Sequence, residues 1–335
     1  MAGFGAALLA KGQPADAGTH LDEPEAQAMR IPPYLKKGDT IGITCPAGYL
    51  TLEDLAPAKQ KMEEWGFKVI AGTTVGTRNN TFAASDEERA ADMQRMLDDR
   101  NIKAIMCGRG GYGVNRMIDK LKFDKFVQHP KWVIGFSDIT LLHTHINTKL
   151  RIATIHSKMC NSFLSDWSKG EPLQIDSINS IQKALLGPKM KYTATVHERN
   201  RNGVAEGVLV GGNLSIIYSA QLTASELKTD GAILFLEEVG EYLYSLDRML
   251  WNLKRSGKLA RLKGLIIGGF KVKPDDPGDE FGLTVYDMVT ELTKEYKYPV
   301  CFDFPVGHQK VNYALKCGVK HRLKVNANEV AMEEV

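Results

Sequence analysis

Residues 102–113 read IKAIMCGRGGYG: an apolar run of strand length breaks into a turn carrying four glycines. Gly108, Gly110 and Gly113 have the G-x-G-x-x-G spacing of a dinucleotide-binding turn. The same turn offers bare backbone N–H groups, which can equally hold the oxyanion of a tetrahedral intermediate. What flanks the loop has to separate the two readings.

Upstream, TIGITCPAG (40–48) reads as a strand and turn, LEDLAPAKQKMEEWGF (52–67) as a helix ending near Gly66, and KVIAGT (68–73) as a second strand. SDEERAADMQRMLDD (85–99) is a helix opened by a capping box, Ser85 with Glu88 three residues on. Downstream follow a helix, VNRMIDKL (114–121), a strand, KWVIGF (131–136), and a helix, ITLLHTHINTKL (139–150). This alternation predicts an α/β fold whose N-terminal domain, 31–163, is a mostly parallel, helix-covered sheet.

Between 164 and 202 the pattern decays, and the segment is expected to be an inter-domain linker. A second domain, 203–335, is expected to be mixed α/β with β-rich, barrel-like character. Its strands are read in VAEGVLVGGN, GAILFLEEV, LKGLIIGGF and YPVCFDFPVG, its helices in SLDRMLWNLKRSG and LTVYDMVTELTKEY, and its close, KHRLKVNANEVAMEEV, as a hairpin. A length of 335 residues fits two domains.

Residues 1–30 stand apart. MAGFGAALLAKGQPADAG has a short apolar stretch followed by ADA but no basic lead, so it reads either as a disordered tail or as the remnant of an export signal. Its apolar part is far too short to span a bilayer.

Composition narrows the partners. With 43% hydrophobic and 25% charged residues and a net charge of +3, the chain reads as globular, with no call for nucleic acid or stable membrane insertion. Five scattered cysteines with no C-x-x-C exclude a disulfide framework and a structural zinc site; Cys45 and Cys107 lie in strand-like runs and read as buried thiols. Eight histidines without H-E-x-x-H suggest no metal, and no cofactor is expected.

Three stretches carry chemistry. In KWVIGFSDIT (131–140), Ser137 stands where a buried strand gives way to a helix, as in a nucleophile elbow; Gly135 is present but Ile139 replaces the second glycine. The competing reading is that Ser137 caps the helix. FPVGHQKVN (304–312) places His308 in a loop just after a strand, as a base would need, or as a plain surface histidine. AILFLEEVGE (232–241) ends a strand in Glu237 and Glu238, one of which alternation turns inward, where open α/β sheets build sites. The opening loop can now be weighed. Two strands precede it, and the only acid at ribose-binding distance, Asp138, adjoins the serine. The oxyanion reading is favoured, with Gly110 and Gly111 beside the Asp138 N–H as donors.

With these pieces in place the chain resembles the LD-carboxypeptidases, the serine-peptidase family that also contains the microcin-immunity hydrolases. The resemblance runs from about Ile31 nearly to the C-terminus and rests on LKKGDTIGITCPAG, RAADMQRML, IKAIMCGRGGYG, VIGFSDIT, GVLVGGNLS, LFLEEVGE with LDRML, and PVGHQKVN, in that order. It implies Ser137 as nucleophile, His308 as base, Glu237 as the acid that orients it, and the Gly111 and Asp138 backbone as oxyanion donors, in an interdomain groove. An aspartate often follows the first glutamate in relatives; here it is Glu238, the fallback for the acid.

The implied reaction is release of terminal D-alanine from a murein tetrapeptide, by a cytoplasmic homodimer, or in the periplasm if residues 1–30 are an export remnant. Arg109, beside the glycine turn, is the candidate for the substrate carboxylate, with Gly110 lining the pocket. Asn213 either shapes the groove or caps its helix, and His156 reads as a hydrogen-bonded histidine at a sheet edge. Two other functions stay open: a microcin-immunity-type hydrolase of peptidyl or aminoacyl adenylates, with Trp167 or Trp251 as adenine platform, and a nucleotide-binding oxidoreductase using GRGGYG.

Overall fold

Strands that end in tight turns set the architecture, because each turn delivers its residues to one edge of a sheet. The structure, a computed structural model, describes Met1 and residues 28–335. The expected tail or export remnant therefore lies outside the described residues except at its ends.

In the first half β1 (Thr40–Thr44), α1 (Leu52–Glu64), β2 (Lys68–Ala71), α2 (Asp86–Asp98), β3 (Ile102–Cys107), α3 (Asp124–Gln128), β4 (Trp132–Gly135), α4 (Thr140–His145) and β5 (Thr154–His156) follow one another. The Ser85–Glu88 capping box opens α2 as expected, a device that stabilises a helix start by about 1 kcal/mol. VNRMIDKL is not an α-helix. It forms two 3-10 turns, Val114–Arg116 and Ile118–Lys120, because the backbone leaves helical geometry between them at Met117 (φ −124°); the Val114 N–H that opens the first is bonded to the Asp138 carboxylate.

Residues 164–202 carry α5 (Pro172–Leu186) and β6 (Lys191–Ala194). The remainder comprises β7 (Gly203–Asn213), α6 (Leu214–Ser219), β8 (Ala232–Val239), α7 (Leu243–Arg255), β9 (Gly264–Lys271), α8 (Val285–Thr293), β10 (Val300–Cys301), β11 (Leu315–Cys317), β12 (Lys320–Val325) and β13 (Val330–Glu334). The closing hairpin is β12 against β13.

The first sheet has the order β11-β5-β4-β3-β1-β2, with β1 to β5 parallel. The second has the order β10-β9-β8-β7-β12-β13-β6. It is mixed: β7 to β10 run parallel, while β12, β13 and β6 pair antiparallel. No pair joins its edge strands β10 and β6 among the described residues, so the barrel-like closure expected from the sequence gives way to an open sheet.

The two sheets are sewn together. After β10 the chain crosses to the first sheet, lays β11 antiparallel on β5 with Leu315 opposite His156, and returns as β12. One apolar cluster accordingly runs through both, uniting Ile43, Met106 and Ile155 with Leu209, Phe235 and Ile266. The C-terminal ends of β3, β4 and β5 thereby face those of β7, β8 and β9. All five cysteines are buried, and burial pushes the Cys45 thiol up to about 12. Among the described residues no helix is long and apolar enough to cross a membrane.

Candidate active site

Ser137 follows β4 and holds φ at +62°, a left-handed conformation that a non-glycine residue adopts at a cost of about 1–3 kcal/mol. It does not cap the next helix. The 3-10 turn Ser137–Ile139 is entered from Phe136 with no side-chain cap, and the Ser137 hydroxyl makes no hydrogen bond to any described residue. The turn is tight where Gly135 passes Ile139, since a Cβ on Gly135 would lie 2.9 Å from an Ile139 methylene. Ile139 therefore packs back on the strand in place of the second elbow glycine.

The glycine loop leaves β3 on the neighbouring strand. A Cβ on Gly110 would stand 2.9 Å from the Ser137 Cβ and 3.2 Å from its Oγ, so only a bare backbone lets the loop lie against the serine. The Gly110 carbonyl is turned away to accept from the Gly48 N–H (2.8 Å). Gly111, at φ +101°, donates its N–H to no acceptor among the described residues. Asp138 adjoins the serine but is itself buried, its Oδ2 accepting from the Val114 N–H at 2.8 Å. Burial raises its carboxyl to about 6, against the lowering by that bond and by Arg89.

A dinucleotide fits this loop poorly. The loop opens only a three-residue turn rather than a helix whose N-terminus could hold a pyrophosphate, and the one acid available to a ribose is consumed inside.

Glu237 and His308 come from the second sheet. Glu237 is fully buried at the end of β8, and its Oε2 lies 2.6 Å from His308 Nδ1 and 3.2 Å from the His308 N–H. Gly307, at φ +99°, makes this approach possible: a Cβ there would overlap the Glu237 Cβ and come 2.7 Å from its Cγ. With Nδ1 engaged, Nε2 is the ring nitrogen left for a substrate or a hydroxyl. The His308 ring packs on Phe136, the residue before Ser137, with centroids 4.8 Å apart. The structure thus joins His308 to Glu237 directly and brings the His308 ring to the Ser137 turn through Phe136.

Glu238 points elsewhere. It accepts from Asn213 Nδ2 (2.8 Å), the Ser215 N–H (2.6 Å) and the Val239 N–H (2.8 Å). Asn213 caps α6, accepting from the Ile216 N–H, while its own N–H donates to the Thr140 hydroxyl. Arg109 is exposed at the rim. Its guanidinium lies over the Tyr49 ring at 5.2 Å, and Arg78 shares that ring at 4.2 Å. His156 is buried edge-on to Phe136 and Phe235, and neither ring nitrogen makes a well-formed hydrogen bond, although the Asn312 side chain is close enough to act on the ring. Apolar packing on both sides leaves it short of the hydrogen-bonded histidine expected, and burial holds its pKa well below the ordinary histidine value.

Two residues near the site were not read from the sequence. Asn312 Oδ1 accepts from the Gly307 N–H at 2.8 Å, while Ser177 bonds both the N–H and the carbonyl of Asn312, which fixes the turn under His308. An asparagine five residues after that glycine was the available signal. Lys158, two residues beyond β5, donates from Nζ to the Gln309 carbonyl at 2.7 Å. Burial, with Lys271 nearby, lowers its ammonium to about 8.

Comparison with known proteins agrees with this architecture. Residues 41–157 match the LD-carboxypeptidase N-terminal domain and residues 206–323 the LD-carboxypeptidase C-terminal domain. A probable murein peptide carboxypeptidase of Bacillus subtilis is 30% identical over 313 residues, covering 90% of this chain and 94% of that protein. The microcin C7 self-immunity protein MccF of Escherichia coli is 24% identical over 90% of this chain and 94% of its own. The crystal structure of muramoyltetrapeptide carboxypeptidase from Oxalobacter formigenes superposes with a TM-score of 0.77 at 27% identity, over 88% of this chain and 98% of that one.

Proposed function

The chain belongs to the LD-carboxypeptidase family, and from that premise we propose that it is a serine carboxypeptidase that releases the terminal D-alanine of murein tetrapeptides. The observation that carries this reading is the 2.6 Å bond from Glu237 to His308 Nδ1, beside a strained serine whose hydroxyl is unengaged.

In this reading Glu237 holds the imidazole so that Nε2 faces Ser137. His308 takes the hydroxyl proton as Ser137 Oγ attacks the carbonyl carbon of the last peptide bond. The Gly111 and Asp138 N–H groups receive the oxyanion, a contribution of the order of 3 kcal/mol per donor in well-formed sites. Collapse breaks the C–N bond, His308 returns the proton to the leaving amine, and D-alanine departs. Water, deprotonated by the same imidazole, then releases the tripeptide acid and restores the serine.

A second reading keeps this chemistry and changes the substrate to an aminoacyl adenylate, prompted by the likeness to the microcin self-immunity protein. It needs an open aromatic face for adenine. Of the two tryptophans proposed for that role, Trp167 lies beneath Lys61 Nζ at 4.1 Å, while Trp251 is exposed on α7 with Lys254 Nζ 5.8 Å from its ring. The murein reading stands first on the carboxypeptidase relative at 30% identity, against 24% for the self-immunity protein.

The test is incubation with murein tetrapeptide, measuring free D-alanine, with Ser137→Ala alongside. The reading expects D-alanine from the parent and a loss of at least about a thousandfold in the variant. A variant as active as its parent would remove Ser137 from the reaction.

A further inference from the structure

An exopeptidase must recognise a free carboxylate, and its chemistry fixes where. The general acid protonates the leaving nitrogen, and the terminal carboxylate is attached one carbon away from that nitrogen. The carboxylate subsite must therefore adjoin His308, on the side opposite the glycine loop that receives the oxyanion.

Among the described residues, the side-chain cation bonded to the backbone of the His308 loop is Lys158. Lys158 reaches from the end of β5 to the His308 loop, where its Nζ donates to the carbonyl of Gln309, the residue next to the histidine. Its neighbour Met159 packs on the other side, with its Cε 3.3 Å from where a Gly110 Cβ would be, so this short stretch touches both halves of the site. Lys158 is only partly exposed, yet no carboxylate lies within ion-pairing distance of it among the described residues. A half-desolvated ammonium held by a single carbonyl is an incomplete arrangement, and an incoming carboxylate completes it. Lys271, at the end of β9, adds a second positive charge close enough to act on Lys158.

Arg109 fits less well. It leaves the glycine loop, on the oxyanion side, and is drawn to the rim by the Tyr49 ring and a long contact from Nη1 to the Tyr49 carbonyl (3.4 Å).

Resting on the carboxypeptidase reading, we propose that Lys158 is the residue that binds the terminal carboxylate of the substrate, and so makes the enzyme an exopeptidase. The experiment compares murein tetrapeptide with the same peptide ending in D-alaninamide, for the parent, Lys158→Met and Arg109→Met. The expected result is a loss of about 10- to 100-fold in kcat/KM for Lys158→Met on the free acid, carried mainly by KM, with less than about 3-fold change on the amide. Arg109→Met should change the acid-to-amide ratio little. Equal losses of Lys158→Met on both peptides, no loss on either, or a collapsed acid-to-amide ratio in Arg109→Met instead would overturn the assignment. Thermal melting of Lys158→Met separates a folding defect from a binding one, since a merely structural role lowers both substrates together. A parent that releases nothing from either peptide would sink the carboxypeptidase reading itself, a result distinct from all of these.

Discussion

Glu237 Oε2 bonds both the ring Nδ1 of His308, at 2.6 Å, and the backbone N–H of the same residue, at 3.2 Å. One oxygen thus fixes the position of the loop and the orientation of the ring together. Glu238, one residue on, accepts three bonds from Asn213, Ser215 and Val239 and makes none to the histidine. The division of labour between adjacent carboxylates leads to a paired expectation. Glu237→Gln should lower kcat by about 10²- to 10⁴-fold, because the amide no longer enforces the tautomer with Nε2 free. Glu238→Gln should instead cost about 1–3 kcal/mol of stability, since its new NH₂ must face one of three donors. Steady-state kinetics and thermal melting of both variants check this; the reverse ordering in kcat would transfer the orienting role to Glu238.

Gly307 is the second place where geometry dictates sequence. Its φ of +99° and the overlap of any Cβ with Glu237 mean that Gly307→Ala must move either the turn or the carboxylate. Activity should fall at least about tenfold, with a loss of about 1–3 kcal/mol from the backbone strain. An alanine variant that keeps parental kcat and melting temperature would mean that the Glu237–His308 contact is not needed in this form.

Asp138 should leave a mark on the pH dependence of stability. Its carboxyl sits at about 6 in the folded chain, chiefly because of burial, against about 3.9 when unfolded. Between those values the native state holds a proton that the unfolded state has released. The group therefore favours folding at low pH, and that contribution disappears as pH rises through 6. Asp138→Asn cannot titrate. Whatever its constant offset, its stability relative to the parent should rise by up to about 3 kcal/mol from pH 4 to pH 7, read from urea unfolding at each pH. A flat difference over that range would show that Asp138 titrates normally.

Much of this site was legible because each chemical residue follows a strand whose apolar run is unmistakable. IKAIMC, KWVIGF and AILFLEEV are strands, and the residues after or at their ends are the glycine loop, Ser137 and Glu237. His308 was legible through the glycine before it. What alternation could not supply was which of Glu237 and Glu238 turns to the histidine, since β8 shifts register against β9 between Leu236 and Glu238. The helix read in VNRMIDKL is broken at Met117, whose φ of −124° separates two 3-10 turns and which no apolar spacing announces. The crossing of β11 to the first sheet was likewise unread, because three residues, LKC, make the pairing and no local pattern announces it. Lys158 went unread for the same reason, its meaning arising only from a carbonyl 151 positions away.

The proposed reaction turns on the Ser137 hydroxyl being the group that His308 activates. A fluorophosphonate probe tests this directly, since it phosphonylates only an activated serine, and peptide mass spectrometry locates the adduct. We expect a single adduct on Ser137 in the parent, with labelling slowed at least about a hundredfold in His308→Ala. An unlabelled Ser137, or equal labelling with and without His308, would contradict the account.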